Sequence, residues 1–331
     1  MTNDVKVVIE LTKAAPRAGY GIPLIVYADN GENTTGAVPY KEVSSLEEVV
    51  AAGFAADTDV YKAAQLLFMQ NDAPSTIAVC ASETDVETIL ADIIDKGWRQ
   101  LIVINDDVKS VSVAIETCGK PVLYFASVDS VSDLTAIKGN ERTVAVVYKS
   151  NDVACPEAAV VGATAGLAVG SFTYKNIILK GVTAQDFTDS EVEDVHEAGG
   201  ITILRKAGSI VTSEGVTLSG EYADIIDSKD YIIEQIEYQC QTLLNRVPKL
   251  PYDNRGIASL EGVVVSVLMD AANNGMIAVT EDGDYDYNVN FAPRSECPAS
   301  DISARQYNGG QFTFALAGAV HNAKITGEVI A

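Results

Sequence analysis

Three carboxylates at alternate positions, Asp282, Asp284 and Asp286, are the residues whose type and spacing most suggest chemistry. A calcium loop of the EF-hand kind starting at Asp282 would need glycine at 287 for its sharp turn and glutamate at 293 as a bidentate ligand. The chain has Tyr287 and Pro293 there, so the three acids read as the wet face of a strand. With only two histidines, His196 and His321, a zinc site or a hydrolase triad has little to work with. Neither stands in a motif, and each is expected to be structural or superficial. The patterns GxSxG and HExxH are absent, as is the phosphate-loop pattern GxxxxGK followed by Ser or Thr. Gly162, Gly166 and Gly170 recur every fourth residue inside a predicted helix, where they cannot cradle a phosphate and instead let two backbones approach closely. The acidic run Glu191, Glu193, Asp194 and Glu197 reads as a solvated face in preference to a docking patch. No catalytic, cofactor-binding or metal-binding residue is assigned.

The elements that would position such residues alternate along the first half of the chain. Val5, Val7, Ile9 and Leu11 fall on one side of a terminal strand. Pro16, Gly19 and Gly21 then loosen the chain ahead of a second apolar run from Ile22 to Ala28. Short apolar strands at 76–81, 101–105, 122–126 and 143–148 are separated by helical periodicities at 59–71, 85–96 and 108–118. Ser44 or Ser45 is expected to cap a further helix, whose early Glu47 and Glu48 suit its positive end. That alternation predicts an α/β layer of mostly parallel strands over roughly 22–148. Pro156 to Gly170 reads as a small-residue helix, and 201–204 and 209–212 as strands.

The second half holds two longer periodic helices. Ile232, Ile233, Ile236, Cys240, Leu243, Leu244 and Val247 share one face from Asp230 onward, and Pro248 and Pro251 stop it. Ile257, Leu260, Val263, Val264, Val267 and Leu268 form the next face, which ends at Asn273-Asn274-Gly275. Each has one apolar side, so the pair must dock on something, most simply a sheet. Tyr285, Tyr287, Val289 and Phe291 alternate with polar residues, and strands close the chain at 312–316 and 323–330.

Composition narrows the function classes. A 331-residue chain that is 47% hydrophobic and 21% charged is folded and long enough for two or three domains. Its net charge of −23 argues against nucleic-acid binding, which needs a basic face. The five cysteines (Cys80, Cys118, Cys155, Cys240 and Cys297) are scattered, as in a reducing compartment. The start, MTNDVKVVIEL, shows no charged-then-apolar leader, so no signal peptide is expected. The low-charge stretch 158–172 is too short and too rich in Gly and Ala to span a bilayer comfortably. The α/β layer by itself would also suit a nucleotide-binding or acyl-transfer enzyme, but glycines at the strand-to-helix turns are missing. A non-contractile capsid or surface-layer protein is a third class.

A family resemblance joins these features. Gly220-Glu-Tyr-Ala-Asp-Ile-Ile226, Lys249-Leu-Pro-Tyr-Asp253, Gly256-Ile257 and Asn274-Gly-Met-Ile-Ala278 resemble the C-terminal domain of contractile tail sheath proteins. Gln311 to His321, followed by Ala323-Lys-Ile-Thr-Gly327, is similar to that family's final strands. The resemblance is carried by 199–331 and touches 1–80; it departs at Asp253-Asn254-Arg255, where the family more often has Thr, Asp and a small residue. It implies a mixed α/β and α+β fold: an N-terminal arm and linker (1–21), an outer α/β domain (22–198), a C-terminal α+β sheath domain with two helices on a sheet (199–321), and a C-terminal arm (322–331).

It also turns the two strand-like ends into arms that add to the sheets of neighbouring copies. The N-arm strand would use Val5, Val7, Ile9 and Leu11, and the C-arm strand Ala323, Ile325 and Val329. Gly19, Gly21, Gly318 and Asn322 would be the hinges. Without the resemblance, the preferred reading has both ends adding to the subunit's own sheet. As partners it implies other copies in six-fold rings, an inner tail tube, and baseplate and tail terminator proteins, with neither nucleic acid nor membrane insertion. The place implied is the tail of a virion or phage-tail-like particle, assembled in the bacterial host cytoplasm.

Overall fold

Eight strands of the chain's first two-thirds assemble into one sheet. The computed structural model describes residues 21–28, 36–84, 86–104, 107–150 and 152–323. Its strands β1 (Ile22–Tyr27), β2 (Val38–Val43), β3 (Ile77–Ala81), β4 (Trp98–Ile104), β5 (Leu123–Val128), β6 (Thr143–Val147), β7 (Ile201–Lys206) and β8 (Ser209–Thr212) lie in the order β2-β3-β1-β4-β5-β6-β7-β8. The interior strands are parallel; β2 and β8 run antiparallel at the two edges. β3 (IAVCA) and β6 (TVAVV) are buried at every position, as parallel strands are when helices cover both faces.

The covering helices are α1 (Leu46–Ala52), α2 (Asp59–Phe68), α3 (Val86–Ile93), α4 (Val108–Thr117), α5 (Val131–Leu134), α6 (Glu157–Thr164) and α7 (Asp189–Glu197). On one face Ile25, Val79, Ile102, Phe125 and Val146 meet Leu67 of α2 and Val160 of α6. On the other, Leu24, Val26, Cys80 and Leu101 meet Leu90 of α3 and Ile115 of α4. Leu134 of α5 and Val195 of α7 continue that second face against Ala145 and Val147. Ser45 caps α1, its side chain accepting from the Glu48 amide.

The four-residue glycine spacing is a packing device. A Cβ on Gly162 would lie 2.4 Å from the Leu67 carbonyl oxygen, and one on Gly166 2.0 Å from that of Asp72, so only glycine lets this segment lie so close to α2. The helix ends at Thr164, short of Gly170, and the chain continues through turns closed by Leu167 N–H to Thr164 O and Ser171 N–H to Ala168 O. β7 pairs with β6, and β8 with β7, so the sheet runs on to Thr212, past residue 148 where the alternation of strands and helices is expected to end the layer. An apolar run looks the same whether it starts a new sheet or extends an old one.

The remaining elements are α8 (Ala223–Arg246), α9 (Asn254–Asn273), β9 (Tyr287–Phe291), α10 (Ala299–Ala304) and β10 (Gly310–Phe314). α8 begins well before Asp230, because its first turns bury Ser228 and Asp230 as well as apolar residues and so escape the periodicity. The Asp253 carboxylate caps α9 by accepting from Arg255 N (2.9 Å) and Gly256 N (3.0 Å). Gly256 is needed there, since a Cβ would stand 1.9 Å from the Pro251 carbonyl oxygen. By length and composition α9 could cross a bilayer; here Val264, Leu268 and Ala271 pack it into a core with Ile232 of α8 and Met276.

Candidate intersubunit surface and tail anchorage

β9 and β10 form a two-stranded antiparallel sheet, with Phe312 opposite Val289 and Phe314 opposite Tyr287. Tyr287, Val289 and Phe291 turn inward toward the α9 core, while Asn288 and Asn290 are exposed, as the alternation in the sequence requires. Among the described residues this sheet has no third strand. A two-stranded sheet is marginal alone, and among the described residues neither outer edge pairs with a further strand, which leaves both as templates for one. Phe312, 37% exposed, stacks on Phe314.

The chain leaves β10 along the segment after α9. Ala278 N–H donates to Ala315 O (2.8 Å) and Ala317 N–H to Met276 O (2.8 Å). Gly318, Ala319 and Val320 are then exposed, Val320 at 86%. His321 turns back in. Its Nδ1 lies 2.5 Å from Glu214 Oε1 and its Nε2 2.9 Å from Thr173 Oγ1; its ring meets Tyr222 edge-on at 4.7 Å between centroids. Lys175 Nζ holds the other carboxylate oxygen, Glu214 Oε2, at 2.6 Å. Burial works against the charged Glu214, but the bond and charge of Lys175, together with His321, outweigh it and leave its pKa below the ordinary value. His196 is nearby, bonded to Ser213 Oγ at 2.9 Å, and burial lowers its pKa.

Polar contacts also seat α8 across the starts of β4 and β6. Arg142 grips the Asp230 carboxylate through both guanidinium nitrogens, and Arg99 pairs with Glu234. Tyr174 Oη donates to Asp227 Oδ2 at 2.7 Å. Burial, chiefly, raises Asp227 to about 7, with Asp230 adding to the effect and the Tyr174 bond opposing it. Glu157, the first residue of α6, is likewise raised to about 7 by burial, and its Oε2 has no hydrogen-bond partner among the described residues.

Of the residues picked from the sequence, Val5, Val7, Ile9, Leu11, Gly19, Ile325 and Val329 lie outside the described residues. Gly21 opens β1 with φ 76°, and a Cβ on it would stand 2.1 Å from Arg99 Cγ. Gly318 has open space around its Cα. Asn322 Oδ1 accepts a long contact from Lys175 Nζ (3.5 Å), and Ala323 is exposed. Asp282, Asp284 and Asp286 are exposed on the turn into β9, and no three of His, Cys, Asp and Glu gather as a metal site among the described residues. Glu214, Thr173 and Lys175 escape sequence reading, because they meet His321 only through the fold.

No family model matches the chain, and no curated protein sequence matches it. Solved structures do match, from end to end. A chain of the six-fold symmetrised anti-feeding prophage baseplate superposes with a TM-score of 0.73 at 15% identity, covering 99% of this chain and 100% of its own. The helical sheath of the anti-feeding prophage, in its contracted state, gives 0.70 at 16% identity over 100% and 99%. The contracted sheath complex of PVC, an extracellular contractile injection system, gives 0.74 at 13% identity over 99% and 98%. This chain has the fold of a contractile sheath protein. The sheath fold takes in the eight-stranded layer and the α8–α9–β9–β10 unit together, since the superpositions leave almost none of either chain uncovered.

Proposed function

We propose that the chain is the structural subunit of a contractile tail sheath, polymerising around an inner tail tube and shortening to drive that tube through a host cell envelope. The observation that carries this is the end-to-end superposition on sheath proteins of two contractile systems. The open two-stranded sheet supports the mechanism. Its two edges suit the two strand-like ends of neighbouring copies, Val5–Leu11 and Ala323–Ile330, by strand addition. Such a contact is heterologous and need not close, so it propagates as a filament of stacked six-fold rings. Main-chain ladders keep copies linked, while weak polar surface contacts of the α/β layer, each cheap to break, are exchanged as the lattice shortens. Gly19, Gly21, Gly318 and Asn322 are the positions at which the arms turn. Baseplate and terminator proteins would meet the ends of the tube.

Negative-stain microscopy of the purified chain tests the reading: hollow tubes of regular helical order are expected. Deleting 1–15 or 322–331 should leave folded monomers that do not polymerise. Normal tubes from either deletion would remove the arm mechanism.

A further inference from the structure

The tail is held to the body at two places with an exposed stretch between them. Among the described residues the last main-chain bond is that of Ala317, and the next fixed point is the buried ring of His321. We infer that the contact of His321 with Glu214 and Thr173 fixes the point at which the C-terminal arm leaves the subunit, and so sets that arm's reach; this rests on the sheath reading above. With the clasp closed, the arm starts beyond His321. With it open, the start moves back to Ala317, and the residues 318–321 add ~13 Å of extended chain.

The chemistry of the clasp suits a contact that opens and recloses. Glu214 lies between two cation-capable groups, and its side chain is only 13% exposed. If His321 withdraws, Oε2 keeps Lys175 at 2.6 Å and Oε1 keeps the Gly215 amide at 3.2 Å. Opening therefore leaves no lone buried charge, which would otherwise be prohibitive. The imidazole loses two directional bonds and the Tyr222 edge contact, enough to favour the closed form. Lys175 also reaches Asn322, so the same cation steadies both the clasp and the first residue beyond it. A neighbour that binds the arm and moves away pulls along this line, and the subunit yields length without giving up the strand pairing.

The test uses the full chain and two variants, His321→Ala and Glu214→Gln; the second keeps the shape and removes the charge in case the first unfolds. Backbone order parameters of the free subunit over 318–321, read from nitrogen-15 relaxation, should drop to the flexible range, below about 0.6, in both variants, with those of β4 and β6 unchanged. Both variants should still form tubes, but with a helical rise or rotation spread beyond that of the wild type. Unchanged order parameters at 318–321, or variant tubes with wild-type lattice parameters, would overturn the clasp. Absence of tubes from the wild-type chain would strike the sheath reading instead, and the order parameters would still decide the anchorage.

Discussion

Replacing Asp227 by asparagine should flatten the pH dependence of the subunit's stability. Its carboxyl, buried under α8 and bonded by Tyr174 Oη, is raised from 3.8 to about 7. Between those values the folded chain holds a proton that the unfolded chain has released. Stability from this group is therefore full below about pH 4 and is lost as pH rises toward 7. At about 1.4 kcal/mol per unit, tapering as pH nears 7, the loss from pH 5 is about 2 kcal/mol by pH 7 and about 3 kcal/mol by pH 8. Glu157, raised from 4.5 to about 7, works in the same direction, as does the self-repulsion of a chain of net charge −23. His196 opposes both, because its lowered pKa makes the fold gain stability as pH rises through 6.5. These other groups are common to both proteins, so the wild-type minus Asp227→Asn difference isolates Asp227. Asparagine retains an oxygen that can accept from Tyr174 and cannot ionise. Urea unfolding of the dilute monomer at pH 5, 6, 7 and 8 should show the variant gaining about 3 kcal/mol on the wild type across the series, with equal m-values. Parallel curves for the two proteins would show that burial does not hold the proton on Asp227.

Other substitutions probe the joints of the fold. Gly256→Ala drives a Cβ to 1.9 Å from the Pro251 carbonyl oxygen and should cost about 1–3 kcal/mol in thermal or urea unfolding. Gly318→Ala meets open space and should change stability by less than about 0.5 kcal/mol. Removing the α9 cap with Asp253→Ala, which loses two amide partners, should cost about 1 kcal/mol by the same measurement. Val7→Pro deletes a ladder donor, so tube yield by sedimentation should fall far more than the melting temperature of the free subunit. Equal losses in both would make that strand internal.

Periodicity exposes what is apolar and repeated, and much of this fold is both. The buried runs of β3 and β6, the capping Ser45, the close glycines 162 and 166, and the wet and dry faces of β9 all follow from residue type and spacing. What periodicity cannot carry is partnership across the fold. β7 reads as a strand from Ile201 to Leu204, but its place beside β6 is a tertiary fact. The first turns of α8 are hidden because Asp227 and Asp230 are buried by pairing with Tyr174 and Arg142, and a buried acid looks like a surface acid until its partner is known. His321 and Glu214 are 107 residues apart, with no local pattern to link them. The two ends alternate like strands in the sequence, at Val5–Leu11 and Ala323–Ile330; which molecule such strands would pair with is a property of the assembly.

The most direct test of the account is a cryo-electron microscopy map of the assembled chain at a resolution that traces the backbone. The account predicts that Val5–Leu11 and Ala323–Ile330 lie as added strands along the outer edges of β9 and β10 in neighbouring copies. Both segments folded onto the sheets of their own molecule, with those edges bare or filled by something else, would contradict it.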